Sequence, residues 1–269
     1  MKINTNNNVY TIVYTTLIVV VVAALLAFVY QSLKGRQDAN EKAETISQML
    51  TAAQYGSKAD LDKLSNTQKL DKYAEEISKA FVIDLDGNVV KELEGIEVYG
   101  PKPLKRQNYN IKGGANKTGE PELPVFIFKN GRTVVPIYGA GLWGPIWGYI
   151  SFEADNSTMG GAYFDHESET AGLGAKIKDD PSFQAQFVGK TANFADENVV
   201  DISKGGQIDA ISGATMTSKG LDAAIDTWLS AYAKYFGANA PQHECCGKHE
   251  HNHEGECEGN CEHNKCEEE

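Results

Sequence analysis

Cysteine is missing from the first 240 residues: Cys245, Cys246, Cys257, Cys261 and Cys266 all stand in 241–269. The body is therefore no disulfide scaffold, and cysteine usage leaves its compartment open. Histidine is nearly absent there too. His166 is the one histidine before residue 241, and no Ser-His-Asp set is evident. Positive charge is in deficit, with a formal net charge of -12, which argues against a nucleic-acid partner. Nine Glu against two Lys in 241–269 supply seven of those negative charges, leaving an ordinary -5 for the rest. No internal repeat is found. Strand patterns fall in hairpins rather than in βαβ alternation, which argues against a Rossmann fold.

Charge is also missing from Val9 to Tyr30, "VYTIVYTTLIVVVVAALLAFVY". As a helix this run spans about 33 Å, enough to cross a hydrocarbon core of roughly 30 Å. It exceeds the h-region of a signal peptide, and no A-x-A-like cleavage site follows. Tyr10, Tyr14 and Tyr30 suit the two interfaces. A transmembrane helix over about 9–30 is expected. Lys2 flanks one side and Lys34, Arg36 and Lys42 the other, a small bias that places the body in the cytoplasm.

Beyond the anchor, Ile46, Met49, Leu50 and Ala53 recur at helical spacing, with Gly56 as a stop. A second helix is expected over Thr67 to Lys79, with Leu70, Tyr73, Ala74 and Ile77 on one side. "AFVIDLDGNVVKEL" reads as a hairpin turning at Asp86-Gly87, and "LPVFIFKNGRTVVPIY" as another turning at Asn130-Gly131. Residues 100–121, rich in Gly, Pro, Lys and Asn, read as a loop. A strand from about Trp147 to Glu153, a glycine-bearing stretch over 157–175, a short helix after Pro181 and one or two strands in "FVGKTANFADENVVDISK" follow. The last helix carries Leu221, Ala224, Ile225, Trp228, Leu229, Tyr232 and Phe236 as one apolar stripe, ended by Gly237 and Pro241. The expected fold class is α+β: segment 1–35 with one membrane helix, a single domain of hairpins and helices over 36–240, and a disordered tail over 241–269.

One motif carries chemistry. "DAISGATMTSKGLDAA", Asp209 to Ala224, is a small-residue turn entering a helix. Gly213 and Ala214 leave room for close approach of a ligand. Ser212, Thr215, Thr217 and Ser218 supply hydroxyls, and the helix start favours a phosphate. The Lys of a Walker loop is absent. An ordinary helix N-cap accounts for the same composition.

Asp-x-x-Ser-Gly-Ala-Thr resembles the recognition sequence of covalently flavinylated proteins, in which a flavin transferase uses FAD to esterify FMN, through its phosphate, to the final Thr. "ETAGLG", Glu169 to Gly174, resembles the Glu-Thr-Pro-Gly-Leu-Gly pattern of FMN-binding domains, with Ala171 in place of Pro; that change loosens the turn rather than abolishing it. "GAGLWGPIWGYI" resembles the Gly-x-Gly-Leu-Trp segment in the family of C subunits of the Na⁺-translocating NADH:quinone oxidoreductase (Nqr). With the anchor, the resemblance covers roughly residues 1 to 237.

What the resemblance implies is a membrane-anchored electron carrier with one FMN esterified to Thr215, on the periplasmic side of the inner membrane. It would be a subunit of a complex that passes electrons from NADH to a quinone and pumps Na⁺. Ser212, Gly213, Ala214 and Gly174 would line the cofactor. Leu142, Trp143 and Leu173 would cover the flavin ring, although Trp143 suits an ordinary core equally. Glu169 and Thr170 would bond the flavin edge or ribityl chain, or Glu169 is a solvated loop carboxylate. Lys204 would offset phosphate charge or is simply exposed. Asp209 would serve the transferase. Partners are the other subunits, the transferase and the membrane. The alternatives are an Rnf-type or stand-alone flavinylated carrier, a non-covalent phosphate-ligand receptor, or an anchored metal-binding protein acting through its tail. In that tail the five cysteines with His249, His251 and His253 suit Zn²⁺ or Cu⁺, at spacings that match no standard zinc finger.

Overall fold

The computed structural model describes residues 8–196 and 198–239. The Cys/His tail, including Cys245, Cys246, Cys257, Cys261, Cys266, His249, His251 and His253, lies outside them, as does Pro241. Among the described residues no group of three or more His, Cys, Asp or Glu is placed to hold a metal ion.

The anchor and the helix after it form one continuous α1 (Asn8–Ala52) of 45 residues. Its first part is long and apolar enough to cross a membrane, and none of that window is buried against the protein. From Ala43 onward the same helix turns one face inward: Ala43, Ile46, Met49, Leu50 and Ala52 are at most 1% exposed. Charged and polar residues between Gln31 and Lys42 carry the helix from one environment to the other without a break.

After α2 (Lys58–Leu61) comes α3 (Asn66–Glu76), opened by a reciprocal capping box between Ser65 and Gln68. The expected helix to Lys79 is too long. Ile77 is already extended (φ -71, ψ 135) and starts β1 (Ile77–Ile83). Its helical spacing is overridden by pairing, since Ile77 faces Phe128 on a neighbouring strand. β1 turns into β2 (Val89–Glu92) through Gly87 at φ +83, as the Asp86-Gly87 signal predicts.

Residues 100–121 are not all loop: Pro101–Lys112 form α4. Pro101 and Pro103 are tolerated because first-turn N–H groups have no intrahelical partner. The helix escapes a periodicity search because its buried face is largely polar: Gln107, Asn108 and Asn110 lie beside Leu104. Those amides are paired. Gln107 Oε1 accepts from Glu122 N and from Asn110 Nδ2, both at 3.0 Å.

β3 (Leu123–Phe128), β4 (Thr133–Ala140), β5 (Pro145–Phe152) and β6 (Met159–His166) complete a six-stranded antiparallel sheet in the order β2-β1-β3-β4-β5-β6. β3 and β4 turn at Gly131 (φ +84), as expected. β6 lies inside the stretch that the sequence marks only by its glycines. Gly161 explains them: a Cβ there would stand 2.5 Å from the Ala52 carbonyl oxygen, so the glycine lets the end of α1 rest on the sheet.

Beyond α5 (Lys176–Asp179) and α6 (Pro181–Ala185), the stretch expected to give one or two strands gives one among the described residues, β7 (Ile202–Ser203), which pairs in parallel with β8 (Ile208–Asp209). α7 (Thr215–Asn239) closes the described chain and runs past Gly237, where the sequence suggests a stop.

The sheet is covered on both faces. Alternate strand residues go to opposite cores, as a pleated strand requires. Phe81, Val125, Val135, Ile150 and Phe164 join α7 and α4 in one core. Val82, Phe126, Val134, Tyr149 and Tyr163 join α1 and α3 in the other. Every member of the α7 stripe, Leu221 to Phe236, is at most 2% exposed. Each large aliphatic or Phe side chain buried this way contributes roughly 1.5–3 kcal/mol. Trp228 also donates from Nε1 to Tyr138 O at 2.8 Å and to Asn108 Oδ1 at 3.2 Å.

Two carboxylates fasten the irregular 190s segment to α7. Asp226 Oδ1 accepts from Val199 N and Asp222 Oδ1 from Ile202 N, each at 2.9 Å. Burial pushes the Asp226 carboxyl up to about 6, with Asp222 and Asp196 adding like charge. Asp222 is raised for the same first reason, burial, against the bond from Ile202, with Asp201 nearby.

Candidate functional site

The motif turn sits where β8 hands over to α7. Gly213 has φ +80, a left-handed conformation that a side chain would strain. Ala214 N donates to Ile211 O at 3.0 Å, and Thr215 starts the helix. The turn is anchored by burial of Ile211 and Ala214, while Ser212, Gly213 and Thr215 face solvent.

The four hydroxyls of the motif are sorted by burial. Ser218, 1% exposed, accepts from Ile211 N at 3.1 Å and so closes the turn from inside. Thr217, also 1% exposed, donates to Glu169 Oε2 at 2.6 Å. Thr215 stays open at the first position of a 25-residue helix, where unpaired N–H groups favour an anion.

Glu169 is the hub. It is 7% exposed, not a solvated loop carboxylate, and its two oxygens take different partners. Oε2 accepts from Thr217, and Oε1 accepts from Trp143 N at 2.8 Å. Three parts of the fold thereby meet: the β4–β5 turn, the loop after β6 and the start of α7. The loop is held from behind as well. Glu169 N donates to His166 Nδ1 at 3.1 Å, and Ser168 Oγ donates to Trp143 O at 2.9 Å. Small residues make this approach possible. A Cβ on Gly141 would strike the Glu169 carboxylate, and one on Gly174 would strike it and stand 2.6 Å from Thr217 Oγ1.

The segments that meet here expose four large apolar side chains. Leu142 is 52% exposed, Trp143 67%, Leu173 44% and Met216 59%. Trp143 is thus no core residue. Leu173 leans on the motif turn: a Cβ on Gly213 would lie 3.1 Å from its Cδ2. Thr170 is exposed on the same loop, where its carbonyl accepts from Leu173 N and Ala175 N, both at 3.1 Å. Lys204 is exposed on the β7–β8 connection, which Asp209 closes by accepting Gly205 N–H at 2.9 Å. An anion-favouring helix start with an open hydroxyl beside an apolar shelf suits a ligand that is anionic at one end and flat and apolar at the other.

Sequence reasoning names Glu169 and Thr217 but not their bond, and it passes over Met216, Gly141 and His166. The spacing of Met216 from the stripe of α7, which places it off the buried face, is the signal that was available.

The FMN-binding domain family matches residues 141–230, from the β4–β5 turn well into α7. The C subunit of the Na(+)-translocating NADH-quinone reductase of Vibrio vulnificus strain YJ016 is 36% identical over 119 residues, 39% of this chain and 46% of the relative. The same subunit of Pasteurella multocida strain Pm70 is 38% identical over 117 residues, 39% of this chain and 45% of the relative. The chain thus spans just under half the length of the curated relatives it matches. Two crystal structures resemble it over more of its length. NqrC of Shewanella oneidensis, 24% identical, superposes with TM-score 0.56 over 75% of this chain and 98% of that one, which supports the fold. The C subunit of the Na(+)-translocating NADH-quinone reductase of Parabacteroides distasonis is 32% identical, with TM-score 0.60 over 76% of this chain and 96% of that one. With that identity across nearly all of a solved relative, the chain belongs to the NqrC family, the C subunits of the Na(+)-translocating NADH-quinone reductases.

Proposed function

We propose that this chain is a membrane-anchored electron-transfer subunit that carries FMN, esterified through its phosphate to Thr215, within a Na⁺-pumping NADH:quinone oxidoreductase. One observation carries the reading. Thr217 and Ser218 are buried and committed, which leaves Ser212 and Thr215 as the exposed hydroxyls of the motif, and of these Thr215 stands at the first position of α7.

The residues present suit the group. The start of α7 balances the remaining phosphate charge, and Gly213 keeps side-chain bulk out of the turn. Leu142, Trp143, Leu173 and Met216 offer an apolar and aromatic shelf for a flat ring. Thr170 is exposed at the surface to bond the ligand, and Lys204 adds positive charge from the neighbouring connection. When bound, the flavin supplies one-electron uptake and release, and the protein sets position and local dielectric. Glu169 serves the shelf from within, since each of its oxygens accepts from a protein donor.

α1 holds the domain at the inner membrane as a single-pass protein, with the domain on the periplasmic side, against the small bias of its flanking charges. The other subunits are its electron donors and acceptors, and a flavin transferase is its maturation partner, recognising the segment from Asp209 to Thr215. The relatives compared above are NqrC chains, which favours this reading over an Rnf-type carrier. The test is a denaturing gel under ultraviolet light. The full chain made together with a flavin transferase gives a fluorescent band; Thr215→Val, or omission of the transferase, gives none.

A further inference from the structure

Both partners of the Thr217–Glu169 hydrogen bond are buried, and they are separated by 48 positions in the chain. Glu169 is rigidly placed before it reaches Thr217. Its amide is held by His166 Nδ1, its loop by Ser168 on the Trp143 carbonyl, and its second oxygen by the Trp143 amide. Thr217 is the third residue of α7, within the turn that Thr215 opens. Helix ends fray because their first N–H groups lack partners. A tie at this third residue fixes the first turn against the β4–β5 turn that bears Leu142 and Trp143. Gly174 and Gly141, neither of which has room for a Cβ beside the carboxylate, let it pass between them to Thr217.

Resting on the reading that Thr215 receives FMN, we propose that Glu169 and Thr217 are positioning residues for that transfer: their hydrogen bond presents the Thr215 hydroxyl and keeps Thr217 from competing with it. In the transfer, Thr215 Oγ forms a bond to the FMN phosphorus of FAD. The pyrophosphate P–O bond breaks, AMP leaves with the bridging oxygen and electron pair, and the hydroxyl proton passes to the transferase or solvent. No electrons are exchanged. Neither Glu169 nor Thr217 touches the reacting atoms.

The test is a time course of flavin attachment to the full chain in membranes, with a flavin transferase, FAD and Mg²⁺, read by in-gel fluorescence. Thr217→Val is expected to slow attachment roughly 10- to 100-fold, the range in which a misplaced reacting group costs rate. Turnover should fall while the apparent KM for FAD stays put, and Thr217→Ser should restore the rate. The double variant Glu169→Ala/Thr217→Val should be no slower than the slower single variant, because the bond lost in Thr217→Val is already absent from Glu169→Ala. Where Thr217→Val does not fold, as judged by its melt, Thr217→Ala takes its place, since Ala suits a helix interior. Attachment to Thr217→Val at the wild-type rate, failure of Thr217→Ser to rescue, or additive losses in the double variant overturns the proposal and leaves the Thr215 assignment standing. A wild-type chain that takes no flavin overturns both.

Discussion

Gly139 of β4 faces Ala224 of α7 so closely that a methyl on the glycine would sit 2.5 Å from the Ala224 Cβ. One turn earlier, a Cβ on Gly220 would strike the carbonyl oxygen of Ala140. α7 is therefore seated almost directly on the strand that leads into the Leu142–Trp143 turn. Gly139→Val should force the two apart, lowering stability by about 1–3 kcal/mol. A urea titration followed by far-ultraviolet circular dichroism reads this as an earlier midpoint; an unchanged midpoint would show that the contact has slack.

Trp228 reaches through the same contact. Its indole N–H is shared between Tyr138 O and Asn108 Oδ1. Trp228→Phe keeps most of the apolar volume and strands a buried carbonyl and an amide. Each unpaired group costs about 1–3 kcal/mol, so the substitution should destabilise the fold by at least that much. The loss should be partly relieved by Asn108→Leu, which removes one of the stranded groups. Equal losses in both backgrounds would contradict the pairing.

Asp226 gives a pH signature. Its carboxyl is raised from 3.8 to about 6 by burial, so the folded state holds its proton more tightly than the unfolded chain does. The stability this supplies is complete below pH 3.8 and is lost as pH rises through about 6. An asparagine in its place cannot ionise and keeps an oxygen for the Val199 amide. Asp226→Asn should thus raise the melting temperature at pH 7–8 and leave it little changed at pH 4. A variant that melts below the wild type at pH 8 would show that the ionised carboxylate is favoured instead.

α1 does two jobs in one helix, and truncation separates them. Removal of residues 1–32 deletes the exposed apolar run while keeping Ala43 to Ala52 against the sheet. That chain should move to the soluble fraction and stay folded. Removal of residues 1–54 takes Ile46, Met49 and Leu50 from the core. At roughly 1.5–3 kcal/mol each, that rivals the whole stability of a typical domain, and the chain should aggregate. A folded, soluble product of the longer deletion would show that α1 is dispensable to the core.

The parts of this fold that were legible in sequence are the ones specified locally. Asp86-Gly87 and Asn130-Gly131 announce their hairpins because a left-handed residue is needed at the turn itself. The α7 stripe announces its helix because seven apolar side chains share one buried face. α4 stayed hidden because Gln107, Asn108 and Asn110 occupy its buried side and are satisfied by one another, by Glu122 and by Trp228. β6 stayed hidden because Gly160 and Gly161 are spent on close contacts, one of them with α1. At the site, the motif from Asp209 to Thr215 could be read as a unit. The meeting of Thr217, Glu169 and the Trp143 amide could not, since no spacing rule relates positions brought together only by the sheet.

The most direct test of the central claim is intact-mass spectrometry, with peptide mapping, on protein isolated from its native membranes. One added FMN ester is predicted, located on the peptide at Thr215 and absent from Thr217 and Ser218. The bare polypeptide mass, or the ester on any other residue, would contradict it.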